Sequence, residues 1–500
     1  MPKPIRLAVT GPLLLVLLLA GCSDDSDSGP SDGGGGGALP IAQPTVTSPP
    51  DSGETFLFST TFDLAEVGYE QEEYFLAGEA TAFRNLNELA PGGGWEVEPA
   101  ETASYRTRVV VYRPADPAVF SGTVMVEWLN VTTGFELPPS YGSGHTEILR
   151  RGHAWVSVSA QIVGIEGSEN ALAPLHLKAV NPERYGNLEH PGDSFSYDIF
   201  SQAAQALREP GNVDLLPGLS VERLIALGQS QSAGRLITYI NAIQPLYATF
   251  DGYLLQSRGN GSSPMAQEPL VPIPTPETVL IREDLEVPVL TYQTETDLLG
   301  LGAVNDRQPD SDWFRLWEVA GTAHLDYYSF VAGRQDTGED PRFAVVVEVD
   351  GVPGFLRCEK PINAGPMAWV FNAALRSLDD WVREGTAPPM AERLAVDDAA
   401  SAFVKDDLGI VAGGIRTPYV DAPAAVLSGE GNQDDSFCFL FGTTELFDAT
   451  QMAQLYTDQA GYEAAVSAAA DDAVEAGFLL PEDADRIRAA ATLQWQALTQ

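Results

Sequence analysis

Apolar positions fall in two rhythms along this chain. From Thr55 to about Pro114, short segments rich in β-branched and aromatic residues alternate with turns, as in Tyr105-Arg106-Thr107-Arg108-Val109-Val110-Val111-Tyr112. That texture predicts antiparallel strands. Beyond it, Gly122–Glu127, Ala154–Ala160, Leu224–Leu227, Gly252–Leu255, Val287–Tyr292 and Phe314–Val319 are short, nearly unbroken apolar runs. Strands of that kind belong to a sheet covered on both faces. Helical spacing fills several gaps between them. Asp198–Arg208 precedes the Leu224 run, and Leu236, Ile237, Ile240 and Ile243 follow it, with Pro245 expected to end that helix. Alternating strands and helices predict an α/β fold with a mostly parallel sheet. Two further helices are expected at Met367–Arg383 and Tyr462–Ala476, with a Gly/Pro-rich loop at Gly413–Pro418. This last third is expected to pack on the core or cover its mouth. No internal repeat is visible and no low-complexity stretch follows residue 55, so residues 55–500 are expected to form one domain.

The N-terminus follows another logic. Lys3 and Arg6 precede an apolar run from Leu13 to Ala20, too short for a finished transmembrane helix, which predicts a signal peptide over 1–21. The run ends in Leu19-Ala20-Gly21-Cys22, which resembles a bacterial lipobox, so Cys22 is the expected lipidation site. Ser23–Pro40 is acidic and glycine-rich and cannot bury a core, and a flexible tether is expected over 22–54. The address implied is the bacterial cell envelope, with a lipid anchor holding the protein on the extracytoplasmic side.

Composition sharpens this picture. The chain is 44% apolar, and its 28 Lys and Arg stand against 70 Asp and Glu, for a formal charge of −42. A surface so acidic argues against nucleic acid as a partner and against docking through a polybasic face on anionic lipid. Beyond Cys22 only Cys358 and Cys438 remain. In an oxidising compartment a disulfide is the preferred reading, and two separate buried thiols are the alternative. With no histidine close in sequence they make a poor metal site, and no metal is expected.

The segment Leu224-Ile225-Ala226-Leu227-Gly228-Gln229-Ser230-Gln231-Ser232-Ala233-Gly234-Arg235-Leu236 reads as strand, tight turn, helix. Small residues at 228 and 232 flank Ser230, as a nucleophile elbow requires, because side chains there would collide across the sharp turn. Ser232 is a rival, but choosing it would carry the strand past its last apolar residue, Leu227. Either serine could instead simply cap the helix. A serine hydroxyl needs a positioned base. Of five histidines only His324 follows the serine, in a glycine-containing loop after the Phe314–Val319 run. His190 could line the site or make a loop hydrogen bond. The acid should come from the end of the preceding strand, where Glu295 and Asp297 both occur. An extended chain would point both the same way. Asp297 is preferred from its place in the loop, and Glu295 is the alternative. For the oxyanion, backbone N–H groups are expected from Gln231 and from Leu129 or Asn130.

From about Thr55 onward the chain resembles a bacterial family of large alpha/beta-hydrolase-domain proteins. The similarity lies in Val126–Thr132 (VEWLNVT), His190–Gln202 (HPGDSFSYDIFSQ), Gly228–Leu236 (GQSQSAGRL) and Gly413–Asp421 (GGIRTPYVD). It implies the α/β-hydrolase fold and a nucleophile at Ser230, and it implies no substrate. The expected architecture is therefore an α/β-hydrolase sheet with an N-terminal antiparallel extension and a C-terminal helical and loop elaboration. The expected activity is a serine hydrolase acting on a small carboxylic ester through Ser230, His324 and Asp297, without metal or organic cofactor. Amide hydrolysis or acyl transfer by the same triad is a second reading. A non-catalytic binding lipoprotein on the same fold is a third.

Overall fold

The computed structural model describes residues 38–432 and 437–499. The expected signal peptide, Cys22 and the tether up to residue 37 lie outside the described residues. Nine strands form one sheet: β1 (Thr45–Thr47), β2 (Tyr69–Asn85), β3 (Val97–Pro114), β4 (Thr123–Trp128), β5 (Ala154–Val158), β6 (Arg223–Gln229), β7 (Gly252–Gln256), β8 (Val289–Gln293) and β9 (Phe314–Glu318). Their spatial order is β1-β2-β3-β5-β4-β6-β7-β8-β9. From β5 to β9 neighbouring strands are parallel, whereas β1–β2, β2–β3 and β3–β5 are antiparallel. The antiparallel texture before Pro114 is thus one long hairpin, with strands of 17 and 18 residues.

The tether ends sooner than residue 54. Thr45–Thr47 pairs with Phe75–Ala77 at the edge of the hairpin and buries Val46 in the core. The unpaired backbone groups of β2 supply the reason, since an open strand edge gains hydrogen bonds by recruiting one more segment.

Both faces of the sheet are covered. Val109, Val111, Val124, Val126, Leu224 and Ala226 point to a core shared with Phe200, Leu207, Leu236 and Ile240. Val110, Tyr112, Met125, Ile225 and Leu227 point to the opposite core, shared with Tyr141, Ile148, Phe371 and Leu375. Successive strand residues alternate between two buried faces, which is why these strands are mostly apolar on both faces. The helices responsible are Ser196–Arg208 and Gln231–Thr238 on one face, with Pro139–Arg150 and Met367–Glu384 on the other.

Pro245 does not end its helix. After Thr238 the chain loosens into a π-turn over Tyr239–Ile243 and restarts as Gln244–Tyr247, with Pro245 in that new first turn. There the missing proline N–H forfeits no helical bond. Helix Gln459–Glu475 matches the expected C-terminal helix, and Pro481–Thr499 adds a last one. In the Gly413–Pro418 loop, Gly413 and Gly414 adopt positive φ. Ile415 then accepts from Ala320 N–H and donates to the Glu318 carbonyl, extending β9.

A disulfide joins Cys358 to Cys438, 80 residues apart. It ties the hairpin Gly351–Val352/Leu356–Arg357 to the turn Phe437–Phe441, and the Leu440 carbonyl there accepts from Leu325 N–H at 2.9 Å. The bond thereby braces the residue next to His324. Replacing both cysteines by serine should cost about 2–4 kcal/mol of stability. Denaturant titration of the double variant checks this, and an unchanged midpoint would contradict it.

Candidate active site

At the end of β6 the chain reverses at Ser230 and enters helix Gln231–Thr238. Ser230 has φ 58° and ψ −118°, a conformation L-residues rarely adopt, held only where the surroundings over-determine it. Two contacts do so here. A Cβ on Gly228 would lie 3.0 Å from the carbonyl carbon and oxygen of Ser232, so strand exit and helix entry touch backbone to backbone. Ser230 N–H also donates to Gln256 O of β7 at 2.9 Å. Ser230 stands at the N-cap position, yet its side chain makes no capping hydrogen bond. It is half-buried, whereas Ser232 is fully buried inside the helix. The rival serine is sealed away from the elbow.

His324 sits in the loop after β9. Its Nδ1 lies 2.6 Å from Asp297 Oδ1, and its N–H donates to Thr296 Oγ1 at 3.2 Å. The other oxygen of Asp297 accepts from Thr294 N–H at 2.7 Å. His324 Nε2 is 3.2 Å from Gln229 Nε2, the side chain immediately before Ser230. Imidazole, carboxylate and elbow therefore meet at the carboxyl ends of β6, β8 and β9. His324 is 2% exposed and Asp297 is fully buried.

Glu295 goes elsewhere. The chain does not stay extended after β8; Glu295 is helical (φ −59°, ψ −42°) and a π-turn follows over Thr296–Gly300. Two residues of helix point the carboxylates apart, so the extended-strand premise fails here. Glu295 accepts from Gly321 N–H at 2.7 Å on one oxygen and from Gly429 N–H at 2.8 Å on the other. Burial pushes its carboxyl up to about 7 against those two hydrogen bonds. It is a strut between three loops rather than a partner of His324.

The expected oxyanion donors divide. Gln231 opens its helix, where a first-turn N–H has no acceptor within the helix. Leu129 N–H, by contrast, is turned toward Val158 O at 3.4 Å, and Asn130 N–H donates to Leu137 O at 2.9 Å. Leu129 N–H continues the pairing of β4 with β5, and Asn130 N–H is used where the loop folds back on itself as a narrow hairpin with Leu137. Among the described residues, no group accepts from the next N–H, that of Val131. Asn130 contributes its side chain instead, donating from Nδ2 to Gln229 O at 3.0 Å. His190 makes local loop bonds, to Ala160 O at 2.9 Å and from Gly192 N–H at 3.2 Å.

Sequence reasoning missed three supports. Gln229 touches the imidazole, and its place beside Ser230 was the available signal. Thr296 Oγ1 both accepts from His324 and donates to Gly429 O at 2.6 Å, a role no spacing announces. Glu127, at the end of β4, accepts from Ser140 N–H, Tyr141 N–H and Trp155 Nε1 and so anchors helix Pro139–Arg150. Burial raises its carboxyl to about 8. Among the described residues no cluster of histidine, cysteine and carboxylate side chains is arranged to hold a metal.

A family model described as alpha/beta hydrolase domain matches residues 41–489. Among solved structures the chain is similar to a thermostable esterase from Pseudomonas putida, with 14% identity over 47% of this chain and 66% of that one and a TM-score of 0.25. It is also similar to a glucuronoyl esterase from Solibacter usitatus, with 12% identity over 56% and 82% and a TM-score of 0.28. A third is an α/β serine hydrolase without lid from Xanthomonas campestris, with 14% identity over 51% and 90% and a TM-score of 0.28. No curated protein matches the sequence.

The strut role of Glu295 has a measurable consequence. In Glu295→Gln one amide oxygen replaces two accepting oxygens, and the NH₂ group opposes a backbone N–H. The loss should be about 1–3 kcal/mol of stability. Equilibrium unfolding against wild type checks it, and equal stabilities would exclude the strut.

Proposed function

The chain belongs to the alpha/beta hydrolase domain family, and from that premise we propose that it is a serine hydrolase cleaving small carboxylic esters. The observation that carries this is the 2.6 Å contact between His324 Nδ1 and Asp297 Oδ1 beside a strained, half-buried Ser230. In this reading Asp297 accepts the Nδ1–H and orients the ring, leaving Nε2 as the basic nitrogen. Ser230 Oγ attacks the ester carbonyl carbon while His324 Nε2 takes its proton. The tetrahedral oxyanion rests on Gln231 N–H, with Val131 N–H as the second donor in place of Leu129 or Asn130. Collapse breaks the bond to the alcohol oxygen, which leaves with the proton from His324. Water then attacks the acyl carbon while giving a proton to His324, and collapse breaks the bond to Ser230 Oγ, which takes that proton back as the acid leaves.

The formal charge of −42 disfavours anionic substrates, weakly, because salt screens it. The same reading places the protein in the bacterial cell envelope, held through a lipid on Cys22. Mass analysis of Cys22 in membrane fractions tests that address.

Wild type should be labelled by a fluorophosphonate probe and Ser230→Ala should not. A folded wild type that stays unlabelled would remove the mechanism. Asp297→Asn should lower kcat by about 10³- to 10⁴-fold, through loss of ring orientation and of support for the imidazolium. Steady-state hydrolysis of a short acyl ester measures it, and a loss under tenfold would take Asp297 out of the triad. A panel of ester, amide and acyl-acceptor substrates separates hydrolysis of esters from the other chemistries of a triad.

A further inference from the structure

The amide of Gln229 is oriented by its neighbours. Its Oε1 accepts from Asn130 Nδ2 at 3.4 Å, and its Nε2 donates to His324 O at 3.2 Å. Reversing the amide would set nitrogen against nitrogen at Asn130 and oxygen against oxygen at His324. Asn130 cannot reverse to accommodate it, because its Oδ1 accepts from Thr132 N–H at 2.9 Å and its Nδ2 donates to Gln229 O at 3.0 Å. An N–H of Gln229 therefore faces His324 Nε2 at 3.2 Å. The facing ring nitrogen must be the acceptor, which places the imidazole proton on Nδ1, against Asp297.

That arrangement has a price for the reaction. A neutral imidazole has one lone pair in its ring plane, and it is the one that must receive the Ser230 proton. Here Gln229 occupies it, and among the described residues Ser230 Oγ has no hydrogen-bond partner. We propose that Gln229 is a latch on the base. In the free enzyme its amide covers His324 Nε2 and leaves Ser230 unactivated. An ester entering the site offers its own oxygens to the amide N–H, draws it away and uncovers the base. The bonds to be released are long, at 3.2 to 3.4 Å, so opening is easy. Gln229 acts through His324 and is a positioning residue. The inference rests on the serine-hydrolase reading.

The test compares wild type with Gln229→Met, which keeps the length of the side chain and removes the donor. Labelling by a small fluorophosphonate needs an uncovered base, so the variant should be labelled about three- to tenfold faster, the effect of deleting one weak hydrogen bond. A residue with a purely structural role would give slower labelling, and labelling at or below the wild-type rate in a variant with wild-type circular dichroism overturns the latch. Gln229→Asn, which withdraws the amide by one methylene, repeats the measurement if the methionine variant does not fold. If wild type labels and neither variant is faster, the latch alone fails. If neither wild type nor variant labels, the hydrolase reading fails and takes the latch with it.

Discussion

The 2.6 Å contact between His324 Nδ1 and Asp297 Oδ1 is the constraint on which the rest of the site depends. Both groups are buried, so neither can turn to water for a substitute partner. A buried carboxylate needs donors, and Asp297 has two: the imidazole on one oxygen and Thr294 N–H on the other. With Nδ1 so engaged, the free lone pair of His324 must lie at Nε2, on the side of the elbow. The direction of the ring follows from that contact, and the Gln229 amide, held by Asn130, faces the same nitrogen.

The dyad in turn depends on loops far apart in the chain. The turn after β8 carries Thr294, Glu295, Thr296 and Asp297, and every one of them is used. Thr294 and Asp297 bond each other, Thr296 holds the His324 backbone, and Glu295 reaches Gly321 and Gly429. Gly429 has to be glycine, since a Cβ there would stand 2.5 Å from that of Glu295. The C-terminal third is therefore part of the scaffold of the candidate site rather than an appendage. The disulfide adds a second brace from the same region, through Leu440 to Leu325.

Much of the fold could be read in advance because its signals are local. A strand buried on both faces reads as a nearly continuous apolar run, and β4, β5, β6 and β7 do. The elbow needs small residues at fixed offsets, and Gly228 and Ser232 supply them. The order serine, carboxylate, histidine narrowed the base to one histidine. Where reading failed, a distant segment had intervened. Thr45–Thr47 looked like tether until the edge of β2 recruited it. Leu129 and Asn130 were plausible donors until β5 took the first N–H through Val158 and the folded-back loop took the second through Leu137. Pro245 looked like a stop until a π-turn shifted the helical register ahead of it.

The amino-acid sequence by itself determined the class of fold, the place of the sharp turn at Ser230 and the histidine that comes to lie beside it, because each is written in spacing over a few residues or in a count of one. Only the tertiary structure decided which of Asp297 and Glu295 meets the imidazole. The two lie two residues apart, and the choice was made by a helical turn and by what packs opposite each carboxylate. One meets an imidazole 27 residues onward, and the other meets a backbone N–H 134 residues onward. Contacts over such distances leave no period in the chain, since they depend on where separate strands deliver their loops.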